Sequence, residues 1–262
     1  MISSMAEENI LLSISNIFEY SKKGVFKVIR EDGGSGTSFL FQHNMLSTAH
    51  HVIHPYKALN VIIDGSTYES ELVDSDPSKD LAILRIINPP DNMNILNLDR
   101  ERNSVLGDEL LILGYPLGSN MLTIHKGILS AQGSADDFPA GKLREHGMFC
   151  PLLQIDGTIN EGFSGGPVIN IRTKTVVGYI TTKYGILADF QSLRAQITDL
   201  LEDPFTLELS QRTGGVTIEG IRFGRLCMFL FNSIDILSKS MKYLHVGIGY
   251  AVDVECLLPY IG

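Results

Sequence analysis

The segment "NEGFSGGPVIN", residues 160–170, places small and turn-prone residues directly before a short apolar run. These residues are Gly162, Ser164, Gly165, Gly166 and Pro167. Such a segment is either a glycine-rich turn that joins two strands, or a tight turn that holds a serine as a nucleophile. The segments around it decide between these two interpretations.

Short β-branched and aliphatic runs surround this segment from residue 25 to about residue 185. A first series of about six runs extends from "GVFKVIR" at 24–30 to "DLAILRI" at 80–86, and a second from "ELLILGYP" at 109–116 to "TVVGYITT" at 175–182. Many short strands separated by turn residues are typical of sandwiches and barrels. Two successive series therefore predict two β-barrels in one chain.

Two further segments depart from the strand pattern. Apolar residues at 10, 11, 14, 17 and 18 recur at helical spacing, which predicts an N-terminal helix over residues 1–21. Residues 186–243 combine helical runs with a hairpin pattern around Gly214 and Gly215, and the strand pattern resumes in "HVGIGYAVDV" at 245–254. We predict a first barrel at 22–100 and a second at 101–262, interrupted by an α+β insertion at 186–243.

Composition restricts the setting and the partners. The net charge of −9 opposes nucleic-acid binding, because that binding depends on Lys and Arg displacing counterions. Three widely separated cysteines suggest neither a disulfide framework nor a zinc site. The N-terminus lacks the basic residues of a signal peptide, and no apolar run is long enough to span a bilayer. We expect a cytoplasmic protein without a membrane anchor.

Three segments together carry a possible chemistry. "LSTAHH" at 46–51 ends in histidines, "SKDLAILRI" at 78–86 contains Asp80, and "GFSGGP" at 162–167 contains Ser164. A serine hydroxyl needs a neighbouring imidazole to accept its proton, and that imidazole needs a carboxylate to fix its tautomer. Gly162 lacks a Cβ, so its N–H can turn toward the same point as that of Ser164 and form an oxyanion hole.

The segments "LSTAHHV", "DLAILRI", "GYPLG", "INEGFSGGPVIN" and "GIGYAV" resemble, in this order, those of trypsin-like serine peptidases of the HtrA/Deg branch. The resemblance implies a mainly β fold of two six-stranded antiparallel barrels with the active site between them. It also implies a Ser164 nucleophile, a His50 general base with His51 as its competitor, an orienting Asp80, and oxyanion donors at Gly162 and Ser164.

The resemblance also locates a specificity pocket and shows two departures from the family. The pocket residues would be Thr158, Ile180, Thr181, Thr182 and Gly249, and none of them is acidic. Because a buried Lys or Arg would stay unpaired there, we expect cleavage after small or medium uncharged residues. Phe163 stands where trypsin zymogens carry their switch aspartate, and from the length of the sequence we expect no PDZ domain after the barrel.

The sequence leaves a second class of function open. A catalytically silent module of this fold could hold a protein partner in the cleft or on the insertion at 186–243. The cluster "HHVIH", with His50, His51 and His54, could suggest a metal, but it lacks the carboxylate and spacing of known zinc motifs. We therefore expect no cofactor and no metal, a protein or peptide substrate, and a possible regulatory protein at the insertion.

Overall fold

The computed structural model describes residues 14–55, 59–138, 150–183, 217–218, 221–222, 233 and 247–261. Helix α1 occupies residues 14–21 of this part. Its Ile17 is buried, and Ile14 and Phe18 pack against the same apolar cluster. The predicted helix is therefore present in this range, while its predicted residues 1–13 lie outside the described part.

The first barrel contains six antiparallel strands. They are β1 (Val25–Arg30), β2 (Ser35–Gln42), β3 (Met45–Ala49), β4 (Leu59–Ile63), β5 (Ser66–Asp76) and β6 (Leu81–Ile86). The strands follow the order β1-β2-β3-β6-β5-β4, and the pairing of β1 with β4 closes the barrel. A short helix, α2 (His50–Ile53), follows β3.

The second barrel also contains six antiparallel strands. They are β7 (Glu109–Gly114), β8 (Thr123–Ser134), β9 (Pro151–Asp156), β10 (Pro167–Asn170), β11 (Val176–Lys183) and the last strand of the chain (Ile248–Asp253), called β14 below. Their order is β10-β11-β14-β9-β8-β7, and β10 pairs with β7 to close the barrel. The predicted mainly β fold with two six-stranded barrels is confirmed.

Side-chain alternation divides the core into three apolar clusters. In β6, Leu81 and Ile83 face a cluster shared by the two barrels, whereas Ala82 and Leu84 face the interior of the first barrel. The third cluster fills the second barrel and includes Ile155. A strand turns successive side chains to opposite faces, so strands buried on both faces appear in the sequence as continuous apolar runs.

Residues Gly185–Val246 form a second compact unit, separate from the unit that contains both barrels. Two short antiparallel strands are described in it, β12 (Thr217–Ile218) and β13 (Ile221–Arg222). They enclose residues 219–220, whereas Gly214 and Gly215, around which the sequence predicts a hairpin, lie outside the described residues. The limits 1–21, 22–100, 101–262 and 186–243 stay sequence-based predictions.

The described part of the chain contains two of the three cysteines. Cys150 and Cys256 are free and buried, as expected of small apolar groups, and Cys227 lies outside that part. Within the described ranges, no three or more His, Cys, Asp and Glu side chains are grouped so that they could hold a metal ion. No helix in these ranges is long and apolar enough to cross a membrane.

Candidate active site

The turn that carries Ser164 requires glycine at two positions. Gly162 has φ of 99° and Gly165 has φ of 82°, which L side chains rarely adopt. A Cβ on Gly162 would lie 2.3 Å from the carbonyl oxygen of Tyr115, and one on Gly165 would lie 2.3 Å from that of Thr37. The glycines therefore allow the turn to pack directly against the backbone of both barrels.

Thr37 of β2 holds this turn from the first barrel. Its N–H donates to the carbonyl oxygen of Ser164 at 2.9 Å, and its hydroxyl donates to that of Gly162 at 2.6 Å. The same hydroxyl accepts from the N–H of Tyr115 at 3.0 Å. The sequence predicts no role for Thr37, because the segment "SGTS" at 35–38 is locally polar and the full burial of Thr37 depends on its contacts with the serine turn and Tyr115.

The peptide unit between Glu161 and Gly162 is oriented by a neighbouring loop. The N–H of Leu117 donates to the carbonyl oxygen of Glu161 at 2.7 Å. In a trans peptide the N–H points opposite to the C=O, so the N–H of Gly162 is directed away from Leu117. Among the described residues, neither this N–H nor that of Ser164 has an acceptor, whereas the N–H groups of Phe163, Gly165 and Gly166 do.

Phe163 anchors the turn in the interior of the second barrel. Its side chain is fully buried, and its ring centroid lies 4.6 Å from that of His125. A Cβ on Gly114 would lie 2.7 Å from Phe163 Cδ1, so β7 approaches this ring closely. At the position where trypsin zymogens use an ion pair, this chain therefore uses apolar packing.

Asp80 lies between the two barrels in an unusual backbone conformation. It follows the 3-10 turn Pro77–Lys79 with φ of 47° and ψ of 41°, a left-handed conformation that Asp tolerates better than most residues. Its side chain is almost completely buried. Oδ1 accepts from the N–H of His51 at 2.9 Å, and Oδ2 accepts from the hydroxyl of Thr181 at 2.5 Å.

The imidazole that contacts the Asp80 carboxylate is that of His51, whereas His50 meets Asp80 only through its backbone N–H, which donates to the Asp80 carbonyl oxygen at 3.0 Å. His51 Nδ1 lies 2.8 Å from Asp80 Oδ2, whereas His50 Nδ1 lies 2.5 Å from the hydroxyl of Ser75. The prediction that Asp80 orients His50 is therefore wrong. Because α2 begins at His50, the two adjacent side chains leave the helix in different directions, and only that of His51 reaches Asp80.

His50 belongs to a different cluster. Its ring stacks on that of His54, the residue that directly follows α2, with 5.0 Å between the centroids. Burial, followed by the neighbouring charge of His54, lowers the pKa of His50. The ring of His50 is therefore engaged with Ser75 and His54 and not with the carboxylate of Asp80.

Thr181 connects Asp80 with Ser164. While its hydroxyl donates to Asp80, its carbonyl oxygen accepts from Ser164 Oγ at 3.4 Å. Ser164 and Asp80 are therefore both hydrogen-bonded to Thr181 of β11, and His51 joins this group through its contact with Asp80. The Thr181 hydroxyl is bonded to Asp80, and the place of Thr181 in a specificity pocket stays a prediction.

The other predicted pocket residues have separate surroundings. Thr158 is exposed, and its carbonyl oxygen lies 2.6 Å from His125 Nδ1. Ile180 is buried in the second barrel, and a Cβ on Gly249 would lie 2.0 Å from Cδ1 of Ile159. The side chain of Thr182 lies outside the described part. Gly249 therefore lies directly against Ile159, and the specificity pocket stays a prediction.

Two six-stranded barrels with a serine turn and a carboxylate-bound histidine between them define the chymotrypsin-like class of protein. A profile of the trypsin-like peptidase domain family matches residues 34–178. The chain belongs to this family.

Similar proteins come from the HtrA/Deg branch. The chain is 34% identical over 138 residues to the serine endoprotease DegS of Escherichia coli, covering 52% of this chain and 36% of DegS. It is 27% identical over 143 residues to a "Probable periplasmic serine endoprotease DegP-like" of Rickettsia prowazekii, covering 54% of this chain and 27% of that protein.

A solved structure extends the similarity of fold. The HtrA-type protease AlgW, determined with a tripeptide, aligns with a TM-score of 0.61 at 20% identity, covering 94% of this chain and 61% of that chain. This chain spans only 21% to 36% of the length of the first curated relatives that it matches. Because the DegP-like relatives are described as periplasmic, the comparisons do not support the expected cytoplasmic location.

Proposed function

We propose that this chain is a serine endopeptidase that hydrolyses peptide bonds through an acyl-enzyme formed on Ser164. The observation that supports this proposal is the contact of 2.8 Å between His51 Nδ1 and Asp80 Oδ2. The same carboxylate accepts from the hydroxyl of Thr181, whose carbonyl oxygen accepts from Ser164 Oγ. A carboxylate in this place keeps the proton on Nδ1 and leaves Nε2 as the acceptor of a neutral imidazole.

In the proposed reaction His51 acts first as a base and then as an acid. Ser164 Oγ attacks the peptide carbonyl carbon while its proton passes to His51 Nε2. The imidazolium, stabilised by Asp80, then gives that proton to the leaving amine, and the peptide C–N bond breaks. Water then attacks the ester carbonyl carbon while its proton passes to His51 Nε2. The imidazolium returns this proton to Ser164 Oγ as the ester bond breaks, which releases the acid and restores Ser164.

The oxyanion of each tetrahedral intermediate would lie between the N–H groups of Gly162 and Ser164. Neither group has an acceptor among the described residues, which is the arrangement that an oxyanion hole needs before substrate binds. Losing one such donor typically costs about 2.7–4 kcal/mol of transition-state stabilisation. Phe163, Thr37 and Leu117 are positioning residues for this hole.

A labelling experiment with an alkyl fluorophosphonate tests the proposal, because this probe reacts with an activated serine. We expect stoichiometric labelling of the full chain and none of Ser164→Ala. His51→Ala should reduce labelling and casein cleavage by about 10³-fold or more. The matched variant His50→Ala removes the neighbouring imidazole and should keep both activities within about tenfold of the wild type.

Three results would contradict the proposal. Labelling that persists in Ser164→Ala would exclude Ser164 as the nucleophile. A folded His50→Ala that loses as much activity as His51→Ala would contradict the assignment of the base. A folded wild type that neither labels nor cleaves would favour the silent binding module instead.

The substrate preference is a second part of the proposal. No carboxylate is among the five residues predicted for the pocket, and Gly249, one of them, lies directly against the apolar side chain of Ile159. We expect a peptide library to be cut after small or medium uncharged residues, such as Ala or Val. A dominant preference for Arg or Lys at this position would overturn the pocket assignment, because their charge would be buried without a partner.

A further inference from the structure

A cavity of about 580 Å³ lies at the first barrel, away from Ser164. Its walls come from α1, β1, β4 and the loop that follows β7, and much of the lining is apolar, including Phe18, Phe26 and Ile62. Cavities that bind small molecules are typically about 300–1,000 Å³ with mostly apolar walls and a few polar groups. In size and lining, this cavity fits a small ligand.

Lys27 is the unusual polar group of this cavity. It lies on β1, is 6% exposed, and its Nζ donates to the carbonyl oxygen of Gly118 at 2.7 Å and to Asn120 Oδ1 at 2.9 Å. No carboxylate of the described residues lies within ion-pair distance of this ammonium, and its third proton has no acceptor among them. A buried charge with only neutral partners is costly, so an anion beside it would be stabilising.

The other charges around the cavity also favour an anion. Lys22 and Lys23 line it together with Lys27, and among the described lining residues Asp64 is the only one with a carboxylate. Lys22 forms an exposed ion pair with Glu19, so its charge is partly compensated, whereas that of Lys27 is not. The apolar walls and the cationic end together select a ligand with an apolar body and a negative head.

We propose that this cavity binds an amphipathic monocarboxylate, whose carboxylate accepts the third proton of the Lys27 ammonium and whose apolar body packs against Phe18 and Ile62. A neutral molecule of the same shape lacks the charge-assisted hydrogen bond, and a cation would be repelled. The ligand class follows from the lining of the cavity and from the uncompensated charge.

The same contacts connect the cavity with the serine turn. Segment 115–120 is held by Lys27 at Gly118 and Asn120 and by Thr37 at Tyr115, and Thr37 lies opposite Lys27 in the β1–β2 pair. The N–H of Leu117 in this segment in turn orients Glu161 next to the oxyanion donor Gly162. An anion that offsets the buried charge keeps Lys27 in place, and so stabilises the segment that orients the oxyanion hole.

Isothermal titration of the full chain with octanoate tests the binding. We expect one site for octanoate, at least about tenfold weaker binding of octanamide, and no binding of octylammonium, because the charge-assisted hydrogen bond is lost. Lys27→Met should weaken octanoate binding by about tenfold or more. Ile62→Trp should abolish octanoate binding, because the larger side chain fills the cavity. If Lys27→Met does not fold, Ile62→Trp tests the site in its place.

Matched variants on the same barrel control for general effects. Arg85→Met removes an exposed cation and Leu72→Trp enlarges an exposed aliphatic side chain, and both should bind octanoate like the wild type. Octanoate binding that is absent in the folded wild type at millimolar concentration, or unchanged in folded Ile62→Trp, would overturn the proposal.

The connection to the serine turn rests on the proposed function and has its own measurement. Saturating octanoate should accelerate fluorophosphonate labelling of the wild type by about fivefold, which is the lower end of typical couplings between two sites. It should not change the labelling rate of Ile62→Trp. Unchanged labelling of the wild type would overturn the coupling. If the wild type does not label at all but still binds octanoate, the proposed function fails while the ligand site stands.

Discussion

At the scale of single residues, the site depends on side chains whose role is to hold others. Thr37 bonds both the serine turn and Tyr115 through one hydroxyl, and Thr181 bonds Asp80 with its hydroxyl and Ser164 with its carbonyl oxygen. Phe163 adds an apolar anchor between them. The conformation of the turn is therefore set from both barrels.

Thr37→Val tests whether this hydroxyl maintains the oxyanion hole. The change preserves the shape of the side chain but leaves the carbonyl oxygen of Gly162 and the N–H of Tyr115 unpaired, at about 1–3 kcal/mol for each buried group. We expect a lower midpoint of thermal unfolding and fluorophosphonate labelling that is slower by about tenfold or more. Thr37→Ser retains the hydroxyl and should label within about twofold of the wild type.

If the Thr37→Val variant is labelled at the wild-type rate, Gly162 keeps its orientation without the hydrogen bond from the Thr37 hydroxyl. In that case Leu117, which orients the preceding peptide, would be sufficient.

At the scale of secondary-structure elements, strand alternation explains most of the architecture, and loop contacts fix the ends of strands. Asp108 lies before β7, and Arg172 lies after the neighbouring strand β10. Asp108 accepts from Arg172 Nη2 at 2.6 Å, from Asn170 Nδ2 at 2.7 Å and from the N–H of Val105 at 3.0 Å. These bonds tie the closing strand pair of the second barrel.

The ion pair predicts how stability depends on pH. The hydrogen bond from Arg172 is the main cause that lowers the pKa of Asp108 from 3.8 to about 2. The pKa of Asp108 is lower in the folded state than in the unfolded state, so the ionised carboxylate stabilises the fold. This contribution is fully present above pH 3.8 and is lost as the pH falls through about 2.

Asp108→Asn should therefore lower the midpoint of thermal unfolding at pH 6 by about 2–4 °C, with solvent screening taken into account. The difference from the wild type should shrink as the pH is lowered toward 2 in calorimetric scans. Glu71→Gln, which removes the half-exposed partner of Arg85, should change the midpoint little at any pH. A difference for Asp108→Asn that does not depend on pH would contradict the ion-pair explanation.

At the scale of the whole molecule, the unit Gly185–Val246 separates two strands that are neighbours in the second barrel. Lys183 of β11 is paired with Gly249 of β14, so the chain leaves and re-enters the barrel at adjacent positions. A unit inserted in this way can be removed without opening the barrel. We propose that it selects substrates or receives a regulatory protein.

Replacing residues 185–246 by a short Asn-Gly turn tests this role. We expect the barrels to keep their β content and the labelling of Ser164, and the cleavage profile on a peptide library to change. The matched control is the full-length Ser164→Ala variant, which should cleave none of the library peptides. A folded deletion variant with an unchanged profile would show that the unit has no part in substrate selection.

The sequence by itself determined the two series of strands, because short β-branched and aliphatic runs and turn residues are local properties. It also determined the serine turn, because a run of glycines around a serine is a local pattern, and Gly162 and Gly165 do adopt positive φ. Only the tertiary structure decided between His50 and His51, because the direction of each ring depends on where α2 begins and where Asp80 turns into the left-handed region. The same holds for Thr37, Thr181 and Lys27, whose partners lie on other strands and loops. Contacts between residues distant in the chain follow from the closure and packing of the barrels, which no single segment encodes.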